Sequence, residues 1–205
     1  YTDDYHPLGS KSVLAHTKAA ADGLTLRDYQ VVGVNWMLQN FYRSRSCILA
    51  DEMGLGKTLQ MISVINHIRT TEGPGCKPFL VVVPLSTIEH WRREVLAWTD
   101  LKICLYYDPH GGAAGRQMIR NYEWYKRSRG SSGSASYRTN EIKFDVLVTS
   151  FQIYVRDLNH FEKARGHRGI EWRMLIVDEG HRLRNVKSKL LQTLREAPVD
   201  YRVLM

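Results

Sequence analysis

The chain has 205 residues, 43% hydrophobic and 24% charged, a balance typical of a globular domain and not of a disordered chain. No apolar run approaches the roughly 20 residues needed to span a bilayer, which argues against a transmembrane helix. The net charge of +8 favours polyanionic partners, and three widely spaced cysteines give neither a disulfide framework nor a zinc site, as expected of free thiols in a reducing compartment.

The first part of the chain predicts a leader, a helix, a strand and a second helix. Residues 1–23 have no clear period and are predicted to form an extended leader. A helix is expected from Leu26, because apolar residues then recur at three- and four-residue steps. A short apolar strand over 47–50 follows, and then a helix over 57–69.

The middle of the chain contains a continuous apolar run, Phe79–Val83, of the kind found in strands buried on both faces of a parallel sheet. Pro84 ends the run, and the spacing of Ser86 and Glu89 is that of a capping box, which predicts a helix to residue 98. The remaining predicted elements, in order, are a strand over 101–107, a helix over 116–125, a strand over 144–148, short helices to about 164, a strand at Met174–Val177, a helix over 188–195 and a strand over 201–205.

Two basic stretches interrupt this pattern. Residues 127–141 include a run of serine and glycine and are predicted to form a flexible basic insertion. Residues 182–195 carry five basic side chains and no acid, and they could bind a polyanion or form a solvated face. The alternation of strands and helices predicts an α/β fold over 24–205, with a mostly parallel central sheet and helices on both faces.

A glycine-rich turn after the first strand is the most informative pattern. Gly54 and Gly56 let successive N–H groups point at a phosphate chain, and the helix that follows adds its partial positive charge. Lys57 is expected to reach the β- and γ-phosphates, and the Thr58 hydroxyl to bind Mg²⁺. Asp51 stands where the general phosphate-loop pattern has its first glycine, so the turn alone leaves an ordinary glycine-rich turn open.

A pair of acids ends the strand Met174–Val177. Because ligands bind at the carboxyl edge of open α/β sheets, Asp178 at that edge can hold the Mg²⁺ that bridges the phosphates. Glu179 can orient and deprotonate the attacking water. The pair alone could simply cap the next segment, but a phosphate loop and a metal-holding acid together indicate an NTP hydrolase.

Taken in order, five motifs resemble those of the first RecA-like lobe of Swi/Snf-type ATPases, a branch of superfamily 2 helicases with a P-loop NTPase fold. The resemblance covers about 24–205, and Asp51 matches this family's loop. The motifs are Leu26-Arg-Asp-Tyr-Gln30, Asp51-Glu-Met-Gly-Leu-Gly-Lys-Thr58, Val83-Pro-Leu-Ser-Thr87 with Trp91, Thr149-Ser-Phe151 and Asp178-Glu-Gly-His-Arg-Leu-Arg-Asn185.

The resemblance implies ATP and Mg²⁺ as cofactors and assigns roles to residues. Lys57, Asp178 and Glu179 are implied to be catalytic, and Thr58 and Asp178 to hold the metal. Gln30 is implied to read adenine, and His181 to couple the ATP site to the next motif. The implied nucleotide-binding loop consists of Asp51, Glu52, Met53, Gly54, Leu55, Gly56, Lys57 and Thr58. The candidate DNA-contacting residues are Ser86, Thr87, Trp91, Thr149 and Ser150, although tryptophans are more usually core or rim residues.

The same resemblance implies an ATP-dependent chromatin remodeler, a nuclear, DNA-dependent ATPase that moves on duplex DNA and remodels nucleosomes, with histones among its partners. The run from Pro84 to Trp91, and Tyr122-Glu-Trp-Tyr125, favour the chromodomain-helicase-DNA-binding subfamily or its imitation-switch relatives, whereas Asp-Glu-Gly-His favours the Swi/Snf subfamily proper. In such a protein the basic residues of 182–195 could touch the DNA backbone or an acidic histone surface. The last strand is implied to lie between those of the loop and the acid pair.

A second RecA-like lobe, with an arginine finger, is expected elsewhere in the full-length chain. Without it the 205 residues are expected to bind nucleotide weakly and to hydrolyse it hardly at all. Two alternatives stay open: an RNA helicase of the Asp-Glu-X-His type, and a non-hydrolysing scaffold that binds DNA or histones.

Overall fold

The computed structural model describes residues 6–9, 17, 21–110, 112–128, 137–161, 169–183 and 188–205. The strands within these ranges are β1 (Cys47–Ile48), β2 (Phe79–Val83), β3 (Ile103–Tyr106), β4 (Tyr125–Ser128), β5 (Tyr137–Ile142), β6 (Val146–Ser150), β7 (Met174–Val177) and β8 (Arg202–Leu204). Six of them form one parallel sheet in the order β1–β8–β7–β2–β6–β3, and β4 pairs separately with β5.

Helices connect the strands. They are α1 (Asp28–Tyr42), α2 (Lys57–Glu72), α3 (Ile88–Trp98), α4 (Gly112–Tyr122), α5 (Phe151–Arg156), α6 (Leu158–Phe161) and α7 (Lys189–Glu196), with 3₁₀ turns at Gly73–Gly75, Leu85–Thr87 and Gly180–Leu183. No helix in the described ranges is long and apolar enough to cross a membrane.

The sheet separates two hydrophobic cores. Val81 and Val83 pack in the core that includes the apolar faces of α1, α2 and α3. Leu80 and Val82 point the opposite way, into a core that includes side chains of α5, α6 and α7. Because successive side chains of a strand face opposite sides, a strand covered on both sides reads as a continuous apolar run. The predicted α/β fold, a RecA-like lobe with helices around a parallel sheet, is confirmed.

The sheet order brings the loop and the acid pair near each other. Strand β8 pairs with β1 on one side and with β7 on the other, as the family resemblance implied. The register aligns Ile48 with Leu204, and Leu204 with Val177. The phosphate loop after β1 and the acid pair after β7 therefore lie at the same edge of the sheet, on either side of the end of β8.

The start of α3 differs from the prediction. The Leu85–Thr87 turn precedes the helix, the helix begins at Ile88, and Thr87 is its N-cap without a side-chain cap. The Thr87 hydroxyl instead donates to the Pro84 carbonyl at 2.9 Å. The predicted capping box of Ser86 and Glu89 is wrong, because the 3₁₀ turn moves the N-cap one residue along the chain, from Ser86 to Thr87.

The region around the predicted insertion also differs. The helix predicted to residue 125 ends at Tyr122, and Trp124 and Tyr125 turn into the second core. Strands β4 and β5 form an antiparallel pair at the two ends of the predicted insertion, 127–141, where no strand was expected. Residues 129–136 lie outside the described residues, so the flexibility of the insertion stays a prediction.

The predicted leader, 1–23, falls mostly outside the described residues. Leu8 is within them and bonds to helix α1: its N–H donates to Asn35 Oδ1 at 2.7 Å, and its carbonyl accepts from Asn35 Nδ2 at 2.9 Å. All three cysteines are free thiols, as predicted.

Candidate nucleotide-binding site

Two glycines give the loop between β1 and α2 its shape. Gly54 has a φ of 87° and Gly56 a φ of 75°, both in the left-handed region that other residues rarely adopt. Gly56 has a second constraint, because a Cβ at this position would lie 2.5 Å from Gln30 Nε2. The predicted need for glycine at these two positions therefore has a backbone cause at both and a steric cause at Gly56.

The Lys57 side chain folds back over the loop. Its ammonium donates to the Asp51 carbonyl at 2.8 Å and to the Glu52 carbonyl at 3.1 Å. An ammonium has three donors, and backbone carbonyls are weaker acceptors of its charge than phosphate oxygens. The loop thus holds the Lys57 ammonium through neutral carbonyl oxygens, which phosphate oxygens can replace.

The Asp51 side chain is held by a hydrogen bond from α2, donated by a residue that the sequence analysis missed. Gln60 on α2 is fully buried, and its Nε2 donates to Asp51 Oδ2 at 2.9 Å. Gln60 Oε1 has no hydrogen-bond partner, and a Cβ at Gly33 would lie 2.0 Å from it. Gln60 carried no distinct signal in the sequence, because Ser63 and Asn66 on the same helix are also buried and polar. The contact explains how an aspartate replaces the usual first glycine: its carboxylate turns towards α2.

Gln30 is also tied to the loop. Its Nε2 donates to the Leu55 carbonyl at 3.3 Å, and its Oε1 accepts from the Arg27 N–H at 3.0 Å, one turn earlier. The residue is buried. The amide retains one N–H and one lone pair beyond these bonds. Gln30 thus links α1 to the phosphate loop, and its contact with adenine stays a prediction.

Asp178 and Glu179 follow β7 at the carboxyl edge. Asp178 Oδ2 accepts from the Trp91 indole N–H at 3.0 Å, and Asp178 Oδ1 accepts from the Glu179 N–H at 2.9 Å. Glu179 has a φ of 56°, a left-handed conformation that is costly for a residue with a Cβ and that occurs preferentially at functional sites. Its Oε2 lies 2.9 Å from His181 Nδ1, with both side chains partly exposed.

A cleft of about 350 Å³ joins the two motifs. Its walls come from β1, the loop, the end of β7 and the end of β8. Loop residues Glu52, Met53 and Leu55 are exposed around it, and Thr58 is half-buried in the first turn of α2. The lining residues are Ile48, Leu49, Ala50, Asp51, Met53, Lys57, Asp178, Glu179, Gly180, His181, Leu204 and Met205.

The donor set suits a magnesium nucleotide. The loop offers an ammonium and N–H groups for phosphates, and Asp178 offers a carboxylate oxygen of the kind that Mg²⁺ prefers. No group of three or more His, Cys, Asp or Glu side chains in the described ranges is arranged so that it could hold a metal ion by itself. A metal here would therefore take part of its shell from phosphates and water, as Mg²⁺ sites commonly do.

The predicted DNA contacts divide into two groups. Ser86 is exposed and Thr87 half-buried in the turn after β2, so both stay predictions. Trp91, Thr149 and Ser150 are buried, with 0%, 0% and 1% exposure. Their predicted contact with DNA is corrected, because these side chains do not reach the surface.

The three buried residues have internal partners instead. The Trp91 indole bonds to Asp178, as described above. The Thr149 hydroxyl donates to the Tyr106 carbonyl at 3.0 Å, and Ser150 Oγ caps α5 by accepting from the Ile153 N–H at 3.3 Å. In the second basic stretch, 184–187 lie outside the described residues, and the Arg182 guanidinium lies 5.8 Å from the centre of the Phe151 ring.

Comparison with known proteins agrees with this geometry. The SNF2-related domain family matches residues 29–205. Chromodomain-helicase-DNA-binding protein 8 of Homo sapiens is 45% identical over 181 residues, which are 88% of this chain and 6% of that protein. Chromodomain-helicase-DNA-binding protein 9 of Homo sapiens is 42% identical over 185 residues, 90% of this chain and 6% of that protein.

A solved structure agrees in fold. The Sulfolobus solfataricus SWI2/SNF2 ATPase core in complex with dsDNA has a TM-score of 0.66 at 23% identity, covering 98% of this chain and 34% of that one. The chain thus spans about 6% of the length of the two human relatives. The predicted resemblance, including the chromodomain-helicase-DNA-binding subfamily, is confirmed, and the chain belongs to the SNF2-related domain family.

Proposed function

We propose that this chain is the ATP-binding lobe of an ATP-dependent DNA translocase, which couples ATP hydrolysis to movement on duplex DNA and to nucleosome remodeling. One observation carries the proposal: Lys57 and the Asp178-Glu179 pair line the same cleft, on either side of the end of β8. A phosphate loop facing a metal-holding acid is the arrangement that NTP hydrolysis requires.

Each residue has a role in this proposal. Lys57 exchanges its bonds to the Asp51 and Glu52 carbonyls for the β- and γ-phosphates. The Thr58 hydroxyl and the Asp178 carboxylate hold Mg²⁺, which neutralises charge on the phosphates when bound. Glu179 orients the attacking water and accepts its proton.

Further roles concern adenine and DNA. Gln30 reads adenine with the hydrogen-bonding capacity that remains beyond its bonds to Arg27 and Leu55. Ser86 and Thr87 contact a DNA phosphate from the exposed turn after β2, and His181 couples Glu179 to elements beyond the cleft. The duplex DNA named for the similar ATPase core, and the names of the chromodomain relatives, support DNA, nucleosomes and histones as partners and the nucleus as the location.

The chain holds half of the site in this proposal. A second RecA-like lobe of the full-length protein supplies an arginine finger across the cleft, a contribution worth roughly 10³–10⁵-fold in rate in related NTPases. The isolated 205-residue lobe is therefore nearly inactive.

The test uses the full-length protein with Lys57→Ala, and Lys77→Ala as the matched control, because Lys77 pairs with Asp200 on the surface at the opposite end of the sheet. We expect Lys57→Ala to lower duplex-DNA-stimulated ATP hydrolysis roughly 100-fold or more, and Lys77→Ala to leave it unchanged. Full remodeling activity in Lys57→Ala would favour the non-hydrolysing scaffold. Stimulation by RNA, with strand separation and without movement on duplex DNA, would favour the RNA helicase.

A further inference from the structure

Trp91 connects two parts of the lobe that are far apart in sequence. Its indole is fully buried, and its N–H donates to Asp178 Oδ2 at 3.0 Å across 87 residues of chain. The second oxygen of Asp178 accepts from the Glu179 N–H. Each carboxylate oxygen therefore has one donor, and the pair of bonds fixes the rotation of the carboxylate about its own axis.

The indole N–H has a reason to keep this bond. A buried N–H without an acceptor costs about 1–3 kcal/mol, and a hydrogen bond to a charged group contributes about 1.5–3 kcal/mol. The ring packs in the same core as Val83, Ile88 and Val95, so its position follows that of the helix. The carboxylate therefore takes its orientation from α3 as well as from its own strand.

The helix that carries Trp91 begins at the exposed turn. Trp91 is the fourth residue of α3, in its first turn, and the helix follows directly on Leu85–Thr87. Core packing transmits displacement because a close-packed interior has little free volume. A shift of the Ser86 segment thus moves the start of α3, and with it the donor that orients Asp178.

We propose that Trp91 is a positioning residue that orients the Asp178 carboxylate for Mg²⁺ and transmits the position of the Leu85–Thr87 turn to it. This inference rests on the proposed function, in which Asp178 holds the metal and Ser86 and Thr87 contact DNA. The hydrogen bond from the Trp91 indole N–H joins α3 to Asp178, and its loss weakens metal binding and the response of ATP hydrolysis to DNA together.

Helix α3 contains its own control. Trp98 ends the same helix, and its indole N–H donates to Glu94 Oε2 at 3.2 Å, one turn away. This bond also joins an indole to a carboxylate, but it stays within α3 and does not reach the cleft. Trp91→Phe and Trp98→Phe therefore remove the same kind of bond, one between the two sites and one outside them.

The experiment measures ATP hydrolysis by the full-length protein against Mg²⁺ concentration, with and without duplex DNA. We expect Trp91→Phe to raise the Mg²⁺ concentration for half-maximal rate about tenfold or more, the equivalent of one charge-assisted hydrogen bond, and to reduce stimulation by DNA. Trp98→Phe should leave both quantities within about twofold. Binding of a fluorescent ATP analogue in EDTA should stay the same in both variants, because the expected defect concerns only Mg²⁺ binding. General damage to the fold would instead weaken nucleotide binding both with and without Mg²⁺.

Since phenylalanine leaves a cavity at position 91, a second replacement keeps the shape: 3-benzothienylalanine, which has sulfur in place of the indole N–H. The same rise in the Mg²⁺ requirement is expected for it. An unchanged Mg²⁺ requirement with this residue, or equal effects of Trp91→Phe and Trp98→Phe, would overturn the inference. Absence of DNA-stimulated hydrolysis in the unmodified protein would instead overturn the proposed function.

Discussion

Two polar regions of the lobe, the nucleotide cleft and a cluster around Asp157, are built from similar side chains but differ in how these are partnered. The Asp157 cluster consists of Tyr106, Arg116, Arg120 and Asp157. Asp157 Oδ2 accepts from the Tyr106 hydroxyl and from Arg116 Nε, both at 2.7 Å, and Arg120 approaches it at 3.5 Å and also bonds to the Tyr106 hydroxyl. All four side chains satisfy one another inside the fold.

The cleft is incomplete by comparison. Lys57 bonds to neutral carbonyls, Glu179 has a strained backbone, and Gln60 has an oxygen without a partner. Glu179 and His181 are 39% and 58% exposed in their side chains, against 11% for Asp157. The difference shows how a binding site is distinguished from a structural cluster: its charges are held in place, but they are not neutralised by the protein itself.

The largest expected effect is the loss of ATP hydrolysis when the carboxylate of Glu179 in the cleft is replaced. Glu179→Gln in the full-length protein should lower DNA-stimulated ATP hydrolysis roughly 10²- to 10⁴-fold, because an amide cannot accept the proton from water. Glu196→Gln, at the exposed end of α7, serves as the control and should have no effect. Steady-state ATPase measurements decide the matter, and a residual rate above one tenth of normal would contradict the role of Glu179.

The second test disrupts the Asp157 cluster and measures stability instead of activity. Asp157→Asn should lower the free energy of unfolding of the 205-residue chain by about 3–5 kcal/mol, because Arg116 is then left buried without its charge partner. Asp200→Asn removes a surface partner of Lys77 and should cost about 1 kcal/mol or less. Urea unfolding measures both values, and equal losses would show that the two acids do not differ as proposed.

A third test concerns the space behind Asp51. Helix propensity alone predicts that Gly33→Ala in α1 stabilises the protein by about 0.5–1 kcal/mol. We expect a loss of about 1–3 kcal/mol instead, because the new Cβ would overlap Gln60 Oε1. In a Gln60→Ala background this cost should disappear, and urea unfolding of the double variant provides the check. A stabilised Gly33→Ala single variant would show that Gln60 moves freely.

The smallest expected effect is a pH dependence of the Asp157 cluster. Burial alone would raise the pKa of Asp157, but hydrogen bonds from Arg116 and Tyr106, together with the charges of Arg116 and Arg120, outweigh it and hold the pKa below its usual value. A lowered folded-state pKa stabilises the protein above the unfolded-state pKa of about 4, and this stabilisation is lost as the pH falls through the folded-state value.

Urea unfolding at a series of pH values from neutral to acid measures this dependence. The free energy of unfolding of the unmodified chain should fall more steeply below about pH 4 than that of Asp157→Asn, which lacks the titrating group. Parallel curves for the two proteins would contradict the assignment.

The sequence by itself determined the parts of this protein that local pattern controls. Phe79–Val83 and Met174–Val177 are strands with the predicted bounds, because a strand buried on both faces needs apolar side chains throughout. The glycines of the loop were predicted because their backbone conformation excludes other residues. The predicted site also came from local order, since the phosphate loop follows β1 and the acid pair follows β7.

Only the tertiary structure decided which polar groups meet. Trp91 was expected at DNA but donates to Asp178, because the sheet order brings α3 beside the end of β7. Gln60 and Asp157 carried no signal in the sequence, since their partners come from other elements. Local periodicity reports whether a side chain faces a core, but the identity of its neighbour depends on contacts between segments far apart in the chain, which a single sequence does not encode in any local pattern.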